Sequence, residues 1–135
     1  MDQPPPLGKF KVMMVDDEAD IRRIGQLSME NIGNWQVVLV ASGADAVKMA
    51  RQERPQVILL DVMMPGTDGL TTLGHLRDEP DLCNIPVIFM TAKVQRHEIE
   101  RYLALGGTGV ISKPFDPLRL PEAIRALLKM PAISQ

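Results

Sequence analysis

The chain has a single cysteine, Cys83, among 135 residues, which excludes an internal disulfide framework and suits a reducing compartment. It lacks any apolar run near the ~18 residues needed to span a bilayer. Its opening, "MDQPPPLG", has no basic region leading into an apolar stretch and is not a secretory signal. Neither sign of charge is in large excess: the net charge of -2 gives nucleic acid or an anionic membrane no reason to bind. There is no G-x-x-x-x-G-K-[ST] loop for a nucleotide triphosphate, no D-x-[DN]-x-[DN]-G calcium loop, and no His and Cys cluster for zinc. His75 and His97 fall in expected helices away from any polar cluster, and Cys83 falls in an expected loop, so all three read as inert. What these absences leave is a one-domain cytoplasmic protein whose partner must be inferred from a site.

What is present is a strict alternation. Residues 1–8 hold three consecutive prolines and read as a disordered tail; the domain is expected over 9–130, with a short tail over 131–135. Within the domain five short apolar runs occur, "FKVMMV", "WQVVLV", "QVILL", "PVIFM" and "GVIS", nearly continuous in their apolar character as strands covered on both faces are. Between them lie stretches of helical period. Ile21, Ile24, Leu27 and Ile32 mark the first, with Gly33 to end it; Ser42 caps a second carrying Ala46, Val47 and Ala50. Leu70, Leu73 and Leu76 mark a third, and Val94, Ile99 and Leu103 a fourth that stops at Gly106-Gly107. A fifth is expected to begin at Asp116-Pro117 and run through Leu120, Ile124, Leu127 and Leu128. Five βα units imply an open, doubly wound α/β fold, flavodoxin-like, with a parallel sheet of order 2-1-3-4-5 and helices on both faces. In such a sheet a ligand sits beyond the carboxyl ends of the strands, where strands 1 and 3 lie side by side.

The residues at those ends are Asp16 and Asp17 after the first strand, Asp61 after the third, Thr91 after the fourth and Lys113 after the fifth. Each has a structural reading by itself, as a helix cap, a turn residue or a surface ion-pair partner. Independent caps and turns, however, have no reason to gather three acids, a hydroxyl and an ammonium around one crevice. Neighbouring carboxylates repel, so the acids require a cation, and carboxylate oxygens suit a hard divalent ion such as Mg²⁺, which leaves a position for a phosphate oxygen. Lys113 and Thr91 then supply a point charge and a hydroxyl donor for a phosphoryl group. Asp61 is the best candidate for a carboxylate nucleophile that becomes an acyl phosphate. Glu18, next to the acid pair, reads as a first-turn helix residue favoured by the helix dipole.

Together, "VDDE" at 15–18, "LLDVMMPGTDG" at 59–69, "MTA" at 90–92 and "SKPF" at 112–115 resemble the receiver domain of two-component response regulators. The resemblance implies that Asp61 accepts a phosphoryl group from a phosphohistidine on a sensor histidine kinase or phosphotransfer protein. It implies Mg²⁺, with Mn²⁺ as a substitute, held by Asp16, Asp17, Asp61 and the backbone carbonyl of Met63. Lys113, Thr91 and Ala92 would meet the phosphoryl group, the Lys113-Pro114 bond is expected to be cis, and Gly66 and Gly69 match the loop and helix start after the acceptor. Met63 and Lys93 occupy the positions that border the path of attacking water and so would tune the lifetime of the phosphoryl group. Receivers usually carry an aromatic residue where this chain has Val110, whose short branched side chain cannot swing as a ring does. Output is therefore expected to rely on Thr91 and the loop after it, with Tyr102 lending surface area.

The expected function is a single-domain response regulator that is not an enzyme beyond catalysing its own phosphorylation and dephosphorylation. It would act on an unidentified output protein through the face of the fourth helix, fifth strand and fifth helix. The alternatives are a receiver cut from a larger regulator or hybrid kinase, a receiver-derived scaffold, and a Mg²⁺-dependent phosphatase of the haloacid dehalogenase type. A scaffold would be expected to lose the acceptor or metal acids. The phosphatase family places D-x-D after its first strand, where this chain has "VDDE".

Overall fold

The five apolar runs form five strands in a computed structural model that describes residues 10–130 except residue 67. The tails expected over 1–8 and 131–135 lie outside the described residues. The strands are β1 (Lys11–Val15), β2 (Gln36–Val40), β3 (Val57–Asp61), β4 (Val87–Thr91) and β5 (Gly109–Ser112). The helices are α1 (Ala19–Asn31), α2 (Ala46–Glu53), α3 (Gly69–Asp78), α4 (Arg96–Ala104) and α5 (Leu120–Leu127), with a 3₁₀ turn at Gly43–Asp45 before α2. All pairings are parallel and the strand order is β2-β1-β3-β4-β5, the order expected from the alternation.

Because successive strand residues point to opposite faces, each inner strand feeds two cores. Met13, Val15, Ile58, Leu60 and Phe89 pack with α2, α3 and α4 through Ala50, Leu73, Leu76 and Tyr102. Val12, Met14, Leu59, Ile88 and Met90 pack on the other face with Met29 of α1 and Leu120 and Ile124 of α5. Fully buried β3 and β4 explain why their sequences show no polar alternation.

Three helix expectations need correction. The face that α1 buries runs through Gly25, Ser28 and Met29, while Ile24, Leu27 and Ile32 are 40%, 43% and 42% exposed. Gly25 lies against the Met14 side chain, and the Ser28 hydroxyl donates to the Pro117 carbonyl, so a small and a polar residue take the inner positions. The fifth helix does not start at Asp116: Asp116 Oδ1 accepts from the Leu118 N–H at 2.9 Å in a turn, and α5 follows from Leu120. In the fourth, Val94 precedes the helix and Leu103 is exposed, whereas Tyr102, expected at the surface, is buried beside Phe89 with ring centroids 5.3 Å apart. A ring packed there offers no area to a partner.

Candidate functional site

β1, β3, β4 and β5 end at one edge of the sheet, and the polar residues that follow or close them converge there. Asp16 is fully buried; its N–H donates to the Val40 carbonyl at 3.0 Å, and its own carbonyl accepts from Arg22 Nη1 at 2.8 Å. Asp17 beside it is exposed. Asp61 closes β3 with its side chain 3% exposed, and its Oδ1 accepts from the Met63 N–H at 3.2 Å. One oxygen from each of Asp16, Asp17 and Asp61 lies within 4.8 Å of the others.

Gly69, the first residue of α3, allows this closeness. Its N–H donates to the Val62 carbonyl, and a Cβ built on it would sit 2.3 Å from the Asp61 carbonyl oxygen. The preceding loop turns at Gly66, whose φ of +81° suits glycine. Asp68 then caps α3, accepting from the Thr71 N–H at 2.8 Å, and these bonds hold its carboxyl below the usual range.

Lys113 follows β5 and carries the cation of the site. Its Nζ stands 3.0 Å from Asp16 Oδ2, 3.2 Å from Asp61 Oδ2 and 3.4 Å from Glu18 Oε1. Its peptide bond to Pro114 is cis. Burial raises the Asp61 carboxyl above its ordinary value and the Asp16 charge adds to that, against the weaker pull of Lys113 and the Met63 N–H. Burial alone would lower Lys113, but hydrogen bonds and charge from Asp16 and Asp61 more than offset it and lift the ammonium. The ammonium gains from both carboxylates, while for Asp61 burial and the Asp16 charge outweigh the pull of Lys113. The donor set is therefore short of positive charge and rich in hard oxygens, which fits a divalent ion such as Mg²⁺.

Thr91 is buried, and its Oγ1 accepts from the Lys93 N–H at 3.0 Å; its carbonyl accepts from the Lys113 N–H at 2.9 Å. Ala92 and Lys93 are exposed at the mouth, and Met63 is 65% exposed beside it. Val110 is half-buried against the core cluster that holds Phe89 and Tyr102. Thus Asp16 and Asp61 are brought into contact with Lys113, Asp17 stands beside them, Thr91 stands at the neighbouring strand end, and Val110 lies outside the polar group. The sequence reading missed two contributors, Glu18 and Arg22. Glu18 is the N-cap of α1 rather than a first-turn residue, and its side chain reaches Lys113. Its adjacency to the acid pair was the available signal. A surface cavity of about 410 Å³ lies elsewhere, lined in part by Gly43, Val47, His75 and Asp78, and includes no member of the acid site.

The family model described as "Response regulator receiver domain" matches residues 12–125. Among curated proteins, the "Probable transcriptional regulator ycf27" of Cyanophora paradoxa is 39% identical over 91% of this chain and 50% of its own length. The "Alkaline phosphatase synthesis transcriptional regulatory protein PhoP" of Bacillus subtilis is 32% identical over 92% of this chain and 50% of its own length. The chain thus spans about half the length of these curated relatives. Of solved structures, the chemotaxis response regulator CheY4 of Vibrio cholerae superposes with a TM-score of 0.82 at 27% identity, covering 88% of this chain and 98% of that one. The signal receiver domain of a signal transduction histidine kinase from Syntrophus aciditrophicus gives 0.76 at 28% identity, covering 93% and 98%.

Proposed function

Since the chain belongs to the response regulator receiver domain family, a phosphoacceptor family of two-component signalling, we propose that Asp61 is its acceptor and that the reaction depends on Mg²⁺. The observation that carries the reading is the buried Asp61 carboxylate sharing Lys113 with Asp16 at the edge where three acids meet. An Asp61 oxygen attacks the phosphorus of a phosphohistidine on a kinase or phosphotransfer protein. The P–O bond forms as the P–N bond breaks, and the product is an acyl phosphate. Lys113 exchanges a carboxylate for a phosphoryl oxygen, and the Thr91 hydroxyl turns from the Lys93 N–H toward the same group. Asp16, Asp17, Asp61 and the Met63 carbonyl would hold Mg²⁺, which when bound supplies positive charge to the phosphoryl oxygens. The chain's catalysis is limited to its own phosphorylation and dephosphorylation.

Movement of Thr91 is felt in the loop over 92–95 and in α4. Val94 in that loop, Leu103 in α4 and Leu105 just after it are 40%, 45% and 48% exposed, and Leu118 before α5 is 74% exposed, which supports output through the face of α4, β5 and α5. That face serves a partner held in trans, as in a single-domain regulator, or an effector joined in the same polypeptide. Incubation with Mg²⁺ and acetyl phosphate followed by intact-mass measurement tests the reading. One added phosphoryl group is expected on the wild type and none on Asp61→Ala. Continuous turnover of unrelated phosphoesters would instead mark a phosphatase.

A further inference from the structure

Lys113 has three N–H donors and faces three carboxylates, of which Asp16 and Asp61 are buried and Glu18 has a side chain 60% exposed. Glu18 stands at the N-cap of α1, where a short polar side chain ordinarily accepts from a first-turn N–H, and it makes no such bond. Its own N–H donates to Asp16 Oδ1 at 2.9 Å, which fixes its backbone to the acid pocket while its carboxylate extends to the lysine. A helix-capping position is thus given over to a third partner for an ammonium that already has two.

We propose that Glu18 is a positioning residue for Lys113: it is the solvent-side partner to which the ammonium moves when a divalent cation takes the oxygens of Asp16 and Asp61. The inference rests on the metal reading above. An ammonium and a divalent ion compete for the same two carboxylates, and two cations in one partly buried pocket repel. To admit the ion the lysine must let go. Without another acceptor it would stand unpaired in a pocket where its side chain is 15% exposed, which is costly for a charged group. Glu18 removes that cost from 3.4 Å away. Its exposure also keeps the new pair weak, so Lys113 stays free to leave again for a phosphoryl oxygen.

The test is titration calorimetry of the full chain with Mg²⁺ at low ionic strength. Glu18→Gln is expected to weaken Mg²⁺ binding about three- to fivefold, the size of a half-exposed ion pair. Asp20→Asn removes an equal charge from the exposed first turn of the same helix and is expected to change binding by less than half that factor. In a Lys113→Gln background, Glu18→Gln is expected to do no more than Asp20→Asn. The Lys113 Cε and Nζ resonances are expected to shift with Mg²⁺ in the wild type and to shift differently in Glu18→Gln. Equal losses from Glu18→Gln and Asp20→Asn would overturn the inference, as would a Glu18 effect that survives without Lys113. A wild type that takes up no Mg²⁺ sinks the metal reading and this one together. Normal Mg²⁺ binding without phosphorylation of Asp61 sinks only the acceptor role, and the titrations then still decide the role of Glu18.

Discussion

Gly69 offers a sharp test of how the site is built, because the same helix contains a glycine with the opposite surroundings. A Cβ at Gly69 would lie 2.3 Å from the Asp61 carbonyl oxygen, 2.9 Å from Val62 Cα and 3.0 Å from Asp61 C. At Gly74 it would meet nothing within 4 Å. Alanine is the better helix former by up to about 1 kcal/mol, so Gly74→Ala is expected to stabilise the fold by about 0.5 to 1 kcal/mol. At Gly69 the atoms in the way are backbone and cannot rotate aside, and overpacking of this kind costs about 1 to 3 kcal/mol, leaving a net loss of up to about 2 after the propensity gain. With a urea m-value of about 2 kcal/mol/M, the Gly74→Ala midpoint should rise by about 0.25 to 0.5 M and the Gly69→Ala midpoint should fall by up to about 1 M. Acetyl phosphate labelling should slow in Gly69→Ala, whose clash displaces the proposed acceptor Asp61, and not in Gly74→Ala. Coincident midpoints at unchanged m, or a Gly69→Ala midpoint above the wild type, would refute the argument.

A raised Asp61 pKa in the folded state means the native chain holds that proton more tightly than the unfolded chain, so the residue's contribution to stability falls as pH rises from the ordinary carboxylate value through the raised one. Asp61→Asn is therefore expected to raise the urea midpoint at pH 7 in EDTA and to lose that advantage below about pH 3.8; a midpoint at or below the wild type at pH 7 contradicts the sign. Saturating Mg²⁺ should raise the wild-type midpoint more than that of Asp61→Asn, by linkage to a site the variant weakens. Met63 borders Asp61, the proposed acceptor, with a thioether, which orients water poorly compared with an amide; a phosphate-release time course should therefore run a few-fold faster in Met63→Asn, and an equal or slower release would exclude the proposed role of Met63 in tuning lifetime.

The strand order and the meeting of Asp16, Asp17, Asp61 and Lys113 were legible because buried parallel strands declare themselves as continuous apolar runs and the fold rule points to their carboxyl ends. The helices were less so. Period alone assigned Ile24, Leu27 and Ile32 to the core face of α1, but the face that fits is one where Gly25 admits Met14 and Ser28 finds a carbonyl on the α5 side. A tertiary hydrogen-bond acceptor is invisible in a hydropathy pattern. Asp116-Pro117 has the chemistry of a helix start, yet the Asp116 side chain closes a turn two residues on, and α5 waits for Leu120. Glu18 shows the same limit from the polar side: sequence places it at a helix end, and only the return of β5 brings Lys113 within reach.

The sheet that carries the acids is also a wall. Met13 and Val15 look into the room of α2, α3 and α4, and Val12 and Met14 into that of α1 and α5, so the two cores are separate clusters with backbone between them. Either room can be refurnished, by drift or by design, without disturbing the furniture of the other. At the rim, where β1, β3, β4 and β5 give out, Asp16, Asp61, Thr91 and Lys113 stand between the two sets of helices. A charge added there lies within reach of helices on both sides of the wall.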